Sequence, residues 1–305
     1  MSFIEKAVEL AKSSRRQEEG SHRSELEKLL EQQPLSDLEE APYPEEIKDI
    51  AYSLTKTVPI QMETMVRNRL ITGGVNPEIQ QSYKLLRTHI LQKTHGQNHN
   101  VLMITSPMPE EGKTLTAINL AVSLSQELSQ TVLLVDLDMR FPSISRYFGF
   151  TAERGLADYL EGKANIPELL VHPQGIDGLV ILPAGRPTEW AAELIRSPRM
   201  LQLVPELKNF YPNRYVLFDL PPMLSFADAL SFAPLVDGII MVVAARKTSR
   251  DDLKRCQEML QGRPIIGYVF NKAEELKQSS YYRYYRSSDR PKRSWFFWTG
   301  NGKKQ

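Results

Sequence analysis

Three short stretches hold the residues whose types and spacing could do chemistry. The first is TSPMPEEGKTLTA, residues 105–117, in which Gly112, Lys113 and Thr114 close a loop between a strand-like run and a helical one. The amides of such a loop, with the positive end of the following helix, present donors to phosphate oxygens. Lys113 at that spacing would reach the β- and γ-phosphates of a nucleotide, and the Thr114 hydroxyl would ligate Mg²⁺. The pattern G-x-x-x-x-G-K-S/T is incomplete, because Pro107 stands where its first glycine should be. The second stretch is VDLDMR, where Asp136 ends an apolar run and Asp138 and Arg140 follow. The third is YVLFDLPPM, where Asp219 ends another. An aspartate so placed holds Mg²⁺, directly or through water, in phosphate-loop NTPases. Pro221 and Pro222 stiffen the chain beyond it and fix where the carboxylate points. Three carboxylates beside one lysine and one hydroxyl are costly without a cation. A bound Mg²⁺–nucleotide removes that cost, so ATP or GTP binding is expected.

These stretches need a frame that brings them together. The apolar runs VLMIT (101–105), TVLLVD (131–136), LVILPAG (179–185), YVLFD (215–219), GIIMVVAA (238–245) and PIIGYVF (264–270) are separated by helical or turn-rich sequence. Runs that are continuously apolar mark strands buried on both faces, hence a parallel sheet between helix layers. The fold expected is α/β, a doubly wound, mostly parallel sheet, with ligands at the carboxyl ends of its strands. PEIQQSYKLLRTHILQKT, before the first run, is helical by the spacing of Tyr83, Leu86 and Ile90.

Composition narrows the function classes. The chain has 305 residues, 41% hydrophobic and 25% charged, with a net charge of +1, which gives no support to a general nucleic-acid role. One cysteine, Cys256, and five histidines make a Cys/His metal site unexpected, and Cys256 sits in a helical stretch, DDLKRCQEML, where it packs. Glu5 and Glu9 interrupt what would be the core of a signal peptide, and no apolar run is long enough to span a bilayer. A cytoplasmic protein is expected. Residues 1–60 read as a polar helical arm and linker, with Phe3, Ile4, Ala7, Val8, Leu10 and Ala11 on one face; 61–272 as the phosphate-loop domain; 273–305 as a basic tail.

SPMPEEGKT, LLVDLDMRFP and VLFDLPP together resemble the Walker A, A′ and B motifs of bacterial tyrosine autokinases, a deviant-Walker group of phosphate-loop ATPases with the MinD/ParA-like fold. The resemblance runs from about residue 77 to the tail and includes RGLADYL (154–160) and LVILPAG. The opening MSFIEKAVELA resembles the start of the soluble, exosortase-associated branch. The resemblance implies ATP and Mg²⁺ as cofactors, autophosphorylation and a part in exopolysaccharide synthesis and export. It assigns nucleotide binding to the loop Met108, Pro109, Glu110, Glu111, Gly112, Lys113, Thr114 and Leu115. Asp136 takes the tyrosine proton, Asp138 and Asp219 serve the metal with Thr114, and Arg140 orients the carboxylates or meets phosphate. Asn271, with Lys272, is placed toward the base. Two departures stand out. Glu110 replaces a glycine, at a place where positive φ would strain it. In the family's E-x-x-R-x-x-R self-association helix this chain has Gln81, Lys84 and Arg87, which weakens bidentate pairing.

The resemblance also gives QSSYYRYYRSS a purpose. Tyr281, Tyr282, Tyr284 and Tyr285 lie among arginines with no aliphatic residue nearby, as phosphoacceptors reached by a neighbouring subunit should. Each phosphate adds about −1.5 to −2 charge and would neutralise or invert the tail. WFFW (295–298) beside Lys292 and Arg293 could meet a membrane interface or a partner. Implied partners are a membrane-spanning chain-length regulator as activator, an opposing phosphotyrosine phosphatase and further copies of the chain, at the inner membrane and without nucleic acid. Rival readings are a MinD/ParA-like ATPase switch, whose signature loop lysine is replaced here by Met108, and a nucleotide-binding scaffold without catalysis.

Overall fold

The computed structural model describes residues 55–71, 77–94, 96–128, 130–209 and 213–273. The expected N-terminal helix, the linker to position 54, the tyrosine cluster and the WFFW segment lie outside these residues.

Among the described residues the elements run β1 (Lys56–Val58), α1 (Met62–Arg67), α2 (Pro77–Thr94), β2 (Val101–Thr105), α3 (Lys113–Ser125), β3 (Thr131–Asp136), α4 (Ile144–Phe148), α5 (Leu156–Leu160) and α6 (Ile166–Leu169). They continue β4 (Val171–Pro173), β5 (Leu179–Leu182), α7 (Ala191–Ile195), α8 (Pro198–Asn209), β6 (Arg214–Asp219), α9 (Asp228–Phe232), β7 (Gly238–Ala244), α10 (Arg250–Met259) and β8 (Ile265–Asn271). The sheet has eight strands in the order β1-β4-β5-β3-β6-β2-β7-β8. Every pairing is parallel except β4 with β5. The fold is thus the doubly wound, mostly parallel sheet that the apolar runs call for.

Alternation along the strands feeds two cores. Val101, Met103, Leu133, Val135, Val216, Phe218, Ile239 and Met241 pack on one face with α5, α7, α8, α9 and α10. Leu102, Ile104, Val132, Leu134, Leu217, Ile240 and Val242 pack on the other with α1, α2, α3 and α4. α3 lies between the sheet and α2, so nearly every residue from Thr114 to Ser125 is buried, Thr116, Asn119 and Ser123 among them. Pro77 opens α2, where its missing N–H costs nothing.

Two strands go beyond the sequence reading. β4 and β1, three residues each, extend the sheet past β5, so it reaches back into the stretch read as arm and linker. Segments this short, KTV and VHP, carry too few apolar residues to show a period.

Candidate functional site

β2, β6 and β3 are neighbours in the sheet, and each delivers one part of the site at its carboxyl end. Such a crevice outside the strand ends is where open α/β sheets bind ligands. The loop after β2 turns into α3 through Gly112, at φ 93°, a left-handed conformation that frees the first amides of the helix. An added Cβ there would also stand 2.1 Å from Asn271 Nδ2, so the Asn271 side chain would have to give up its present place.

Lys113 and Thr114 start α3 and face both aspartate strands. The Lys113 ammonium donates to Asp138 Oδ2 at 2.9 Å and lies 3.6 Å from Asp219 Oδ1. The Thr114 hydroxyl donates to Asp219 Oδ2 at 2.6 Å. Asp136 and Asp219 are register partners on β3 and β6, and both are buried. Asp136 Oδ2 accepts the amides of Ser143 and Ile144, each at 3.0 Å, which fixes the start of α4 to the strand end. Asp138 Oδ1 accepts the Phe141 amide at 3.1 Å. Five of the residues singled out in sequence, Lys113, Thr114, Asp136, Asp138 and Asp219, therefore meet at one place.

The charges are mutually strained. Burial, reinforced by the Asp219 carboxylate, pushes Asp136 up to about 7, against the pull of its two amides and Lys113. Burial likewise raises Asp219 to about 6, while Lys113 and Thr114 hold it down. At Lys113 burial works against the ammonium, but Asp219 and Asp138 outweigh it and raise its pKa.

A magnesium–nucleotide fits this donor set. Asp136 Oδ1 and Asp219 Oδ1 are buried without a hydrogen-bond partner, an excess of acceptors that a cation would relieve. Among the described residues no three His, Cys, Asp or Glu side chains could enclose a metal on their own. Magnesium does not need such a cage, because it uses one or two carboxylates with water and substrate phosphates.

Other residues are placed differently from the sequence reading. Arg140 pairs with Asp228, Nε to Oδ2 at 3.0 Å, while stacking over Phe226 at 5.1 Å. Asp228, at the start of α9 and fully buried, gave no sign of itself in sequence. Asn271 donates to the Glu111 carbonyl at 2.9 Å, and Lys272 to the Glu110 carbonyl at 2.6 Å, so both hold the loop itself. Glu110 does adopt positive φ, 62°, with its carboxylate directed outward to Lys247 at 3.1 Å. Glu111 points inward, where its carboxylate takes the Met108 amide at 2.9 Å and the Thr248 hydroxyl. On α2, Gln81 and Lys84 are exposed, whereas Arg87 turns back to the Ser123 carbonyl and Glu127. Cys256 is buried, as expected.

Residues 102–289 match the family described as the CobQ/CobB/MinD/ParA nucleotide binding domain. The chain is similar to the tyrosine-protein kinase YwqD of Bacillus subtilis, 32% identical over 211 residues that make up 68% of this chain and 87% of that protein. It is similar to the putative tyrosine-protein kinase CapB of Staphylococcus aureus, 29% identical, covering 68% of this chain and 90% of the other. The crystal structure of the VpsO kinase domain superposes with a TM-score of 0.58 at 30% identity, over 64% of this chain and 96% of that one. Among the described residues no helix is long and apolar enough to cross a membrane.

Proposed function

The chain belongs to the CobQ/CobB/MinD/ParA nucleotide-binding family and, within it, to the bacterial tyrosine-protein kinases, and from that premise we propose that it transfers the γ-phosphoryl group of ATP to its own tyrosines 281, 282, 284 and 285. The observation that carries the reading is the convergence of Lys113, Thr114, Asp136, Asp138 and Asp219 at the ends of three adjacent strands.

Phosphoryl transfer asks a protein for position and charge more than for covalent chemistry. The loop Met108–Leu115 cradles the phosphates with the amides that follow Pro109, the Met108 amide being held by the Glu111 carboxylate. Lys113, paired here with Asp138 and Asp219, exchanges those partners for β- and γ-phosphate oxygens. Thr114, Asp219 and Asp138 would hold Mg²⁺, which would neutralise charge on the transferring phosphates. Asp136 takes the tyrosine proton at Oδ1, the oxygen its two amides leave open. Its raised affinity for a proton suits that task at neutral pH. Arg140 acts through Asp228, holding the chain that carries Asp138. The acceptor tyrosines belong to a second copy, with a membrane-spanning chain-length regulator as activator, a phosphatase in opposition and exopolysaccharide export as the process controlled. That wider setting rests on the motifs and on the named kinases that the chain resembles.

Phosphopeptide mapping after incubation with Mg·ATP tests the reading, with wild type, Lys113→Met and a tail bearing phenylalanine at 281, 282, 284 and 285. The activator's cytoplasmic segment is included in one series and omitted from the other. Phosphate on the four tyrosines of wild type alone is expected. Nucleotide binding without phosphotyrosine in either series sinks the kinase reading and leaves an ATPase switch or a nucleotide-binding scaffold.

A further inference from the structure

A phosphate-binding loop works only if its amides face the ligand, which turns its carbonyls outward. Outward carbonyls need donors of their own. In this chain the donors to the carbonyls come from the end of β8, and the turn after β7 adds donors to the loop's carboxylates; neither segment has a part in the motifs. Lys272 Nζ donates to the Glu110 carbonyl at 2.6 Å, and Asn271 Nδ2 to the Glu111 carbonyl at 2.9 Å. From the β7 side, Thr248 donates its hydroxyl to the buried Glu111 carboxylate while accepting the Ala244 amide at 2.9 Å. Lys247 reaches the Glu110 carboxylate at 3.1 Å. Glu110 and Lys272 both stand at positive φ, 62° and 54°, as does Arg246 at 59°, so side-chain-bearing residues hold left-handed backbone on both sides of the contact. Such conformations persist where the surroundings over-determine them.

We infer that Lys272, Asn271, Thr248 and Lys247 form a clasp that presets the phosphate loop before nucleotide arrives, with Lys272 and Lys247 as positioning residues for nucleotide affinity. The inference rests on the nucleotide-binding reading above. The two lysines divide the work. Lys272 holds a backbone carbonyl, so its role is independent of the side chain at 110. Lys247 acts only on the Glu110 carboxylate, and it is the counterpart of having glutamate where the resemblance leads one to expect glycine. An exposed ion pair contributes little, so its effect is the smaller one.

The test measures Mg·ADP affinity by calorimetry and hydrogen exchange of the loop amides in nucleotide-free protein, with kcat and KM for ATP alongside. Lys272→Met is expected to raise Kd by about five- to tenfold, a charge-assisted hydrogen bond reduced by its exposure. Lys247→Met is expected to raise it about two- to threefold. In both variants the amides of residues 110–112 exchange faster without nucleotide, and the loss falls on KM rather than kcat. In a Glu110→Gly background, Lys247→Met has no further effect, whereas Lys272→Met keeps its full one. Weaker binding with unchanged exchange in the nucleotide-free loop would mean that the lysines touch nucleotide directly, which overturns the clasp. Affinities equal to wild type overturn it as well. A wild type that binds no nucleotide removes the functional reading itself, an outcome distinct from either.

Discussion

Asp136 and Asp219 stand opposite each other as register partners at the ends of two neighbouring parallel strands. Parallel strands lie about 4.8 Å apart, so two carboxylates on the same face repel at close range. The β3–β6 ladder holds their backbones side by side. The fold therefore builds a site that is short of positive charge, and Lys113 supplies part of what is missing.

That shortage makes stability depend on pH. Both folded-state values, about 7 for Asp136 and about 6 for Asp219, lie above the ordinary 3.8 of an aspartate. The folded protein thus binds these protons more tightly than the unfolded chain does. Their stabilising contribution is complete below about pH 4 and is lost as pH rises through 6 and 7. Urea midpoints of nucleotide-free protein should fall across that window. Asp136→Asn, which keeps an acceptor for the Ser143 and Ile144 amides, should flatten the profile and raise the midpoint at pH 8, while reducing phosphotransfer by about 10²-fold or more. A profile no flatter in the variant would remove Asp136 as its source.

Lys113→Met takes away the ammonium that contacts Asp138 and Asp219. Nucleotide affinity should fall by about 100-fold or more, because a phosphate-loop lysine and its charge are both lost. The nucleotide-free variant should also be less stable than wild type at pH 8 and closer to it at pH 5, where Asp136 and Asp219 can take protons. Thermal melts at the two pH values separate this electrostatic effect from a packing defect, which would be equal at both.

Arg140 and Asp228 make a pair of unequal exposure, since Asp228 is fully buried and Arg140 keeps 24% of its side chain exposed. Removing the arginine strands a buried carboxylate, whereas Asp228→Asn leaves a partly wet guanidinium that can turn to water. Arg140→Met should cost about 3 kcal/mol of stability, and Asp228→Asn about 1 kcal/mol. Denaturant titration of both singles and the double variant measures the coupling. Equal losses in the two singles would contradict the asymmetry. Phosphotransfer should fall in both, because Arg140 lies two residues from Asp138 and steadies its segment.

Which of these features could be read beforehand follows from where their signals reside. The central strands and the five converging residues were legible because continuous apolar runs end in the reactive side chains themselves, as with Asp136 and Asp219. Pairings between distant segments were not. Nothing near position 140 points to a partner 88 residues later, and the reading of Arg140 as a carboxylate or phosphate contact missed Asp228 for that reason. Asn271 and Lys272 were placed at the strand end correctly as to position, but which way their side chains turn depends on carbonyls at 110 and 111 that carry no sequence identity. Glu110 was readable in one respect only. Its positive φ follows from a glycine expected there, while its outward course depends on Lys247, a residue of another loop.

The glycine of RGLADYL offers a test of packing apart from backbone conformation. Gly155 has φ −170°, an extended value open to any residue, so alanine would meet no torsional objection there. Its difficulty is space: an added Cβ would stand 2.2 Å from both the Gly185 amide nitrogen and the Pro183 carbonyl oxygen. Those atoms belong to the turn after β5, and the same turn accepts the Leu156 amide at Pro183 and the Ala157 amide at Ala184. Backbone on both sides must move, so Gly155→Ala should cost about 3 kcal/mol. Gly175 is the converse case, with φ +86° and nothing within 4 Å of an added Cβ. Gly175→Ala should cost only the torsional strain, about 1 kcal/mol. Chemical denaturation of the two variants ranks steric against conformational cost in one chain, and a larger loss at Gly175 would show that the α5 junction yields more readily than its contacts indicate.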